Sequence, residues 1–215
     1  MNTNKKNLWV YGCSHSTGWV WNENHSPHTY FKPWPEIVSE GIGYNLINRA
    51  KEGSSFHNIR DKILNDIPSW NEEDLVLIQE TYRVRATSPY IKDNIHIERT
   101  EQLIGISEPL DNIERINWEY FLNTLDIIKK LNKVKSYFIL TDPPFGKPDE
   151  RFTSNEDSFI ELPNSICLNQ WIRSDKRIQQ MDGGTIFSGK YGGHMNQLGN
   201  ERLAEIVINR LTKFR

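Results

Sequence analysis

Four short apolar segments recur along the chain and predict the strands of a buried sheet. They cover Leu8 to Tyr11, Tyr44 to Ile47, Leu75 to Ile78 and Tyr137 to Leu140. The third segment is apolar throughout, without the alternation expected of a strand with one face in water, so it indicates a strand buried on both faces. The first segment ends at Gly12, which is the pattern of a strand that runs directly into a turn.

Helical spacing of apolar residues appears between these strands. A short helix is predicted from Pro35 to Glu40, and a second begins at Ser54 or Ser55, whose hydroxyl can accept the free amides of the first turn. The apolar face of this second helix consists of Phe56, Ile59, Ile63, Leu64 and Ile67.

Two longer helices are predicted in the second half of the chain. One runs from about residue 113 to 131 and is expected to contact the core through Ile116, Tyr120, Leu125, Ile128 and Leu131. The other follows the cap residue Asn196, and its apolar stripe consists of Leu203, Ile206, Val207, Leu211 and Phe214.

Strands that alternate with helices predict an α/β fold with a mostly parallel sheet covered on both faces. In such sheets ligands bind at the carboxyl ends of the strands. We expect the 215 residues to form one domain over 1–215, with long loops at about 19–35, 82–112 and 145–193. Two short strands are also predicted in the last third of the chain, at Ser158 to Leu162 and Thr185 to Phe187.

Charge and cysteine content narrow the possible partners. The 26 basic and 28 acidic residues give a net charge of −2. The chain therefore lacks the overall positive field that supplies non-specific affinity for nucleic acids. Cys13 and Cys167 are too few for a disulfide framework, and the apolar run near the N-terminus is too short for a signal peptide or a membrane span. We therefore expect a cytoplasmic protein with neither nucleic acid nor membrane as a partner.

The first segment with candidate chemistry is the turn after the first strand, from Gly12 to Gly18. A serine nucleophile needs a tight turn on which its hydroxyl is exposed and its backbone amide points at the developing oxyanion. Gly12 permits such a turn, and Ser14 follows it. An ordinary polar turn between two elements is the alternative interpretation.

The second segment is His194 to Gly199, at the start of the last helix. A histidine there projects across the carboxyl edge of the sheet, where it can take a proton from Ser14. A histidine that only caps the helix or lies exposed is the alternative.

Together these segments resemble the SGNH (GDSL-like) hydrolase family, which carries its serine in a turn after the first strand and its histidine just before the last helix. The resemblance spans the whole chain and also includes Asn48 with Gly53. It implies a flavodoxin-like three-layer α/β/α sandwich around a mostly parallel five-stranded sheet, with Ser14 and His194 as catalytic residues. It further implies an oxyanion hole built from the amides of Ser14 and Gly53 and from a donor after the third strand.

The chain departs from the family pattern in three places. Cys13 replaces the aspartate that usually precedes the serine, and Tyr191 stands where the family has its acid. Gln79 to Tyr82 replaces a Gly-x-Asn-Asp motif, so that Thr81 or Gln79 is expected to supply the third oxyanion donor. Without the usual carboxylate, another acceptor has to stabilise the imidazolium of the base. Its sequence candidates are Asp142, Asp182 and a backbone carbonyl.

Other candidate sites are weaker. His15, His25 and His28 lack a matching carboxylate, so no metal site is predicted. Cys13 is a competing nucleophile, although a cysteine so close to a strand end is more often buried and inert. Arg83 and Arg85 are candidates for binding an anionic group. A sugar ring is expected to stack on the aromatic residues Trp19, Trp21, Tyr30, Phe31 and Trp34, which are equally compatible with a core.

The resemblance implies a serine esterase or acyltransferase that acts on short ester-linked acyl groups through an acyl-Ser14 intermediate. A carbohydrate ester is the favoured substrate, and no cofactor is expected. The alternative is an SGNH-like carbohydrate-binding module in which the missing acid and asparagine reflect impaired chemistry.

Overall fold

The computed structural model describes residues 6–18, 31–81, 107–140, 158–160, 162–163, 168–179 and 194–213. The strands are β1 (Asn7–Tyr11), β2 (Asn45–Asn48), β3 (Leu75–Gln79) and β4 (Ser136–Leu140). The α-helices are α1 (Trp34–Ile42), α2 (Phe56–Asp66), α3 (Ser107–Leu131), α4 (Leu168–Ser174) and α5 (Gln197–Thr212). Short 3-10 turns cover Ser14–Ser16, Ile67–Ser69 and Lys176–Ile178.

The four strands form one parallel sheet in the order β2-β1-β3-β4. This confirms the predicted α/β class, although the described part of the chain contributes four strands rather than the five expected. Beyond β4, Phe159 forms a parallel bridge with Ile139, and the Ile160 amide donates to the Ile139 carbonyl at 2.9 Å. In the segment predicted as a strand from Ser158 to Leu162, position 161 lies outside the described residues, and the described positions hold isolated bridges at Phe159 and Leu162 rather than a continuous strand. The strand predicted at 185–187 lies outside the described residues.

Alternate residues of the central strands face two separate cores, which defines the three layers. Leu8 and Val10 of β1 pack with residues of α1, α4 and α5, whereas Trp9 and Tyr11 pack with residues of α2 and α3. Each face of a buried strand must be apolar, which explains the continuous apolar runs in the sequence. The parallel strands then deliver all their carboxyl ends, including the one at Tyr11, to the same edge of the sheet.

Helix α3 differs from its prediction in both its length and its buried face. It begins at Ser107, inside the segment predicted as a loop. Leu125 and Ile128 are buried as predicted, but Ile116, Tyr120 and Leu131 are 47%, 38% and 45% exposed. Among the side chains that are described, the buried face instead includes Trp118 and Phe121. Ile116 and Tyr120 lie two residues from Trp118, about 200° around the helix axis, so they face away from the core.

The helix starts follow the capping residues that the sequence predicts. The Ser55 hydroxyl accepts a hydrogen bond from the Asn58 amide at 3.3 Å, and Asn196 Oδ1 accepts one from the Gly199 amide at 2.9 Å. Helix α4 lies in a segment for which the sequence predicted a loop. No helix in the described part of the chain is long and apolar enough to cross a lipid bilayer.

Candidate active site

The predicted nucleophile lies on a tight turn directly after β1. The amide of Ser16 donates to the carbonyl of Cys13 at 2.9 Å, and the amide of Thr17 donates to the carbonyl of Ser14 at 3.2 Å. The Thr17 hydroxyl donates to the same Ser14 carbonyl at 2.9 Å. These bonds use the amides at the end of the turn and leave the Ser14 amide out of the turn's own hydrogen bonding.

Gln79, at the carboxyl end of β3, binds this turn through its side chain. Its Oε1 accepts hydrogen bonds from the Cys13 amide at 3.3 Å and from the Ser16 hydroxyl at 2.8 Å. Its Nε2 donates to Cys13 Sγ at 3.1 Å and to the Glu80 carbonyl at 2.8 Å. Gln79 is fully buried, and its two amide protons are already donated. It therefore holds the nucleophile turn and is not placed to donate to an oxyanion.

The approach of Gln79 explains why Gly12 precedes the turn. A Cβ at position 12 would lie 2.8 Å from Gln79 Oε1, 2.9 Å from Gln79 Cβ and 2.9 Å from Ser16 Oγ. Each of these distances is too short for a carbon atom that cannot move, so only glycine fits. Gly12 thus permits the contact between β3 and the serine turn.

The loop after β2 is joined to the same turn. Asn48 Nδ2 donates to the Ser16 carbonyl at 2.9 Å, and the Lys51 amide donates to the Gly12 carbonyl at 3.2 Å. A turn closed by a 3.1 Å bond from the Ser54 amide to the Lys51 carbonyl contains Gly53, whose φ is +67°. That angle lies in the left-handed region that glycine adopts without strain. The loop predicted to carry the second oxyanion donor is therefore held beside the nucleophile turn.

The Thr81 hydroxyl donates to the Ser54 carbonyl at 2.8 Å. A hydroxyl carries a single proton, and here that proton is used in the hydrogen bond to Ser54. This bond connects the residues that follow β3 to the turn containing Gly53. The hydroxyl therefore has a positioning role in this structure. A direct contribution of Thr81 to the oxyanion hole would have to come from its backbone amide, and it stays a prediction.

The loop after β2 is also anchored to helix α2. Lys62 Nζ donates to the Arg49 carbonyl at 2.8 Å, and the Arg49 guanidinium forms a bidentate pair with Asp66 at 2.9 and 2.8 Å. Burial lowers the pKa of Lys62, and the nearby charges of Lys51 and Arg49 lower it further. Asp66 also accepts from the buried Tyr11 hydroxyl at 3.2 Å, and burial raises the pKa of that phenol.

The predicted base lies in contact with the predicted nucleophile. His194 Nε2 is 2.8 Å from Ser14 Oγ, although the two residues are 180 positions apart in sequence. If the serine hydroxyl donates this bond, Nε2 is the acceptor and Nδ1 carries the proton of the neutral ring. The distance is within the range required for a base to remove the serine proton.

His194 is placed by the residues that follow it. The Asn196 amide donates to the Ile178 carbonyl at 2.9 Å, and Asn196 Nδ2 donates to the Gln179 carbonyl at 3.0 Å. Met195 forms an antiparallel bridge with Gln179. The entry into α5 is therefore bound to the 3-10 turn at Lys176–Ile178, which fixes the position of the backbone at the base.

His15 also belongs to this site. It is 5% exposed, and its ring centroid lies 4.8 Å from that of His194 with 33° between the two planes. The sequence offered His15 only as a candidate metal ligand, and no pattern near either residue indicates its contact with His194. Among the described residues, no group of three or more His, Cys, Asp or Glu side chains is arranged to hold a metal ion.

The remaining candidates have mixed outcomes. Cys13 is 1% exposed, so the structure does not present its thiol as a competing nucleophile. Trp34 is fully buried in the core beside α1 and α5, so the interpretation of this residue as a sugar platform is wrong. Phe31 is partly exposed. Several candidates lie outside the described residues: Trp19, Trp21, His25, His28, Tyr30, Arg83, Arg85, Asp142, Cys167, Asp182 and Tyr191.

Solved structures share this architecture. A member of the lipolytic G-D-S-L family from Veillonella parvula is 13% identical, with a TM-score of 0.53 over 96% of this chain and 98% of that one. A carbohydrate acetylesterase from Sinorhizobium meliloti is 15% identical, with a TM-score of 0.52 over 98% of this chain and 100% of that one. An α/β hydrolase from the metagenome of Lake Arreo, Spain, is 13% identical, with a TM-score of 0.55 over 98% of this chain and 96% of that one.

At these sequence identities, the similarity to the solved structures establishes a shared fold and nothing further. No family model and no curated protein sequence matches the chain. The chain has the fold of the SGNH hydrolases, as the motif resemblance predicted, over nearly its whole length.

Proposed function

We propose that this protein is a serine hydrolase of the SGNH type that cleaves esters through an acyl-Ser14 intermediate. The observation that carries the proposal is the 2.8 Å contact between Ser14 Oγ and His194 Nε2 at the carboxyl edge of the parallel sheet. In open α/β sheets this edge is where substrates bind. A serine is a weak nucleophile at neutral pH unless an adjacent base removes its proton.

The first half of the reaction transfers the acyl group to the enzyme. His194 Nε2 takes the hydroxyl proton while Ser14 Oγ bonds to the ester carbonyl carbon. The resulting oxyanion lies near the amides of Ser14 and Gly53, and Thr81 is the third proposed donor. When the carbon–oxygen bond to the alcohol breaks, His194 returns its proton to the departing oxygen.

The second half regenerates the free serine. A water molecule gives a proton to His194 and bonds to the acyl carbon. The tetrahedral intermediate then expels Ser14 Oγ, which regains the proton from His194, and the carboxylic acid leaves. An alcohol that replaces the water makes the same site an acyltransferase.

A short acyl group on a carbohydrate is the proposed substrate. In support, one solved structure with this fold is described as a carbohydrate acetylesterase. Both Ser14 and His194 are partly exposed, so a substrate can reach them from solvent. A lipid substrate is less favoured because the sequence has no long apolar surface segment.

The proposal is tested by a fluorophosphonate probe together with p-nitrophenyl acetate. We expect the probe to label the protein once, on Ser14, because only a serine activated by a base beside an oxyanion hole reacts readily with it. Ser14→Ala should abolish labelling and turnover, and His194→Ala should abolish most of both. Ser16→Ala is the control in the nucleophile turn, and it should keep the label on Ser14.

Labelling of Ser16, or absence of labelling in well-folded protein, would contradict the assignment of the nucleophile. Binding of acetylated sugars without turnover of any ester would favour the alternative, a carbohydrate-binding module with the hydrolase fold.

A further inference from the structure

The ring of His15 packs against the ring of the proposed base, His194. The two imidazole centroids are 4.8 Å apart and the planes are inclined by 33°, within the range in which aromatic side chains pack favourably. His15 is 5% exposed, whereas His194 is partly exposed. The buried ring of His15 therefore packs against the more accessible ring of the base.

The position of His15 is fixed by both of its neighbours in the chain. Ser16 on one side binds Gln79 through its hydroxyl at 2.8 Å and Asn48 through its carbonyl at 2.9 Å. Ser14 on the other side receives two hydrogen bonds from Thr17 on its carbonyl. His15 lies between these two anchored residues. The bonds that position Ser14 therefore also position the His15 ring beside the base.

A catalytic imidazole needs a fixed orientation as well as a suitable distance. In a serine–histidine–aspartate triad the carboxylate supplies that orientation by binding Nδ1. A second ring packed on one face of the imidazole restricts its rotation and thus keeps Nε2 directed at the serine hydroxyl.

We propose that His15 is a positioning residue for His194, and that its ring, packed against the imidazole of the base, holds Nε2 towards Ser14 Oγ. This inference rests on the proposed serine hydrolase function. The property that matters is a flat ring of similar size at position 15. Phenylalanine at position 15 should therefore preserve the positioning of His194, whereas alanine should not.

The kinetic experiment compares His15→Ala with His15→Phe on p-nitrophenyl acetate. We expect His15→Ala to lower kcat on the order of 10- to 100-fold with little change in KM, because a misdirected base slows the proton transfer more than substrate binding. His15→Phe should recover most of the lost kcat. His57→Ala is the matched control, because His57 is on α2, is about half exposed and packs against the ring of Tyr120. It should leave kcat unchanged.

A second measurement does not depend on turnover. In the nitrogen-15 NMR spectrum the His194 Nε2 resonance reports the hydrogen bond to Ser14, and nuclear Overhauser effects report contact between the two rings. We expect ring-to-ring effects between His15 and His194 in the wild-type protein. The Nε2 resonance should shift in His15→Ala and return towards its wild-type position in His15→Phe.

The outcomes separate the two proposals. An active wild-type enzyme with equal kcat in His15→Ala would overturn the positioning role and leave the hydrolase function intact. Equal damage from alanine and phenylalanine would overturn ring packing as its cause. If the wild-type protein hydrolyses no ester, the hydrolase proposal fails, and the resonance of His194 still decides whether His15 orients it. An unchanged Nε2 resonance in folded His15→Ala would contradict that role.

Discussion

Gln79 Oε1 and the Ser16 hydroxyl are joined by a 2.8 Å hydrogen bond that links the end of β3 to the turn carrying the proposed nucleophile, Ser14. Gln79 makes four hydrogen bonds within this buried region, and three of them reach residues 13 and 16, on either side of Ser14. The proposed nucleophile is thus supported by a side chain from the neighbouring strand as well as by its own turn.

Gln79→Leu should remove this support at nearly constant volume. The Cys13 amide and the Ser16 hydroxyl would lose their acceptor, and leaving buried polar groups unpaired costs about 1–3 kcal/mol of unfolding free energy. We expect kcat to fall on the order of tenfold or more, because the serine turn is no longer held. Urea denaturation and esterase kinetics measure the two effects.

The matched control for this variant is Gln170→Leu, because Gln170 is exposed on α4. It should change the unfolding free energy by less than about 0.5 kcal/mol. Wild-type kcat in a folded Gln79→Leu enzyme would show that the turn positions Ser14 without Gln79.

Gly12→Ala should damage activity through a steric clash. The new Cβ would lie 2.8 Å from Gln79 Oε1 and 2.9 Å from Ser16 Oγ, so the side chain of Gln79 and the turn must move apart. We expect a lower melting temperature and a loss of kcat at least as large as in Gln79→Leu. Gly43→Ala is the control, because Gly43 has a φ of +72° but no atom within 4 Å of the added Cβ. It should lower the melting temperature through backbone strain and keep kcat.

The pH dependence of turnover should report the base. Only neutral imidazole can accept the serine proton, so kcat/KM should fall as the pH drops through the range in which a histidine ionises. His194→Ala should remove that ionisation together with most activity.

Asp182→Asn should have little effect if a serine–histidine dyad performs the reaction. A large loss of kcat in folded Asp182→Asn would instead identify Asp182 as the third member of a triad.

Asp175 should make the free energy of unfolding depend on pH in the acid range. The Arg177 guanidinium beside Asp175 holds the pKa of that carboxyl well below its usual range, and the backbone amide of Arg177 and the guanidinium of Arg202 add to the effect. Because the pKa is lowered on folding, the ionised carboxyl stabilises the fold fully above the ordinary aspartate value of about 3.9. The contribution is lost as the pH falls from that value towards the pKa in the folded state.

Asp175→Asn should therefore be less stable than the wild-type protein at neutral pH, and the difference should shrink in acid. Thermal unfolding followed between neutral pH and the acid limit of solubility gives the comparison. A difference in melting temperature that does not vary with pH would contradict the role of the charge.

Asp74 should affect stability without affecting chemistry. It is fully buried at the amino end of β3, and it accepts hydrogen bonds from the Trp9 indole at 2.8 Å and from the backbone and side chain of Asn7 and Asn71. Asp74→Ala leaves these donors unpaired and should cost about 3 kcal/mol or more of unfolding free energy. At a temperature where the variant is folded, kcat should equal that of the wild type, because Asp74 lies at the opposite edge of the sheet from Ser14. A large fall in kcat under those conditions would mean that the two edges are coupled.

The sequence by itself determined the strands of the sheet and the edge at which the candidate site lies. The apolar runs at β1 and β3 are local signals, because a strand buried on both faces must be apolar at every position. The caps at Ser55 and Asn196 are equally local, since each binds an amide three residues further on. Once the strands are parallel, their carboxyl ends meet at one edge, which places the turn of Ser14 there. The resemblance to the SGNH hydrolases then assigned the start of α5 to the same site.

Tertiary structure alone decided how that site is supported. Gln79 and Ser16 are 63 residues apart, and no pattern near either residue indicates their bond. The buried face of α3 likewise depends on where the helix sits against the sheet: Trp118 is turned inwards and Tyr120 outwards, although both are aromatic. His15 meets His194 only because the end of β1 and the start of α5 are brought together by the fold. Such contacts depend on the packing of elements distant in sequence, whereas strands and caps depend on a few consecutive residues.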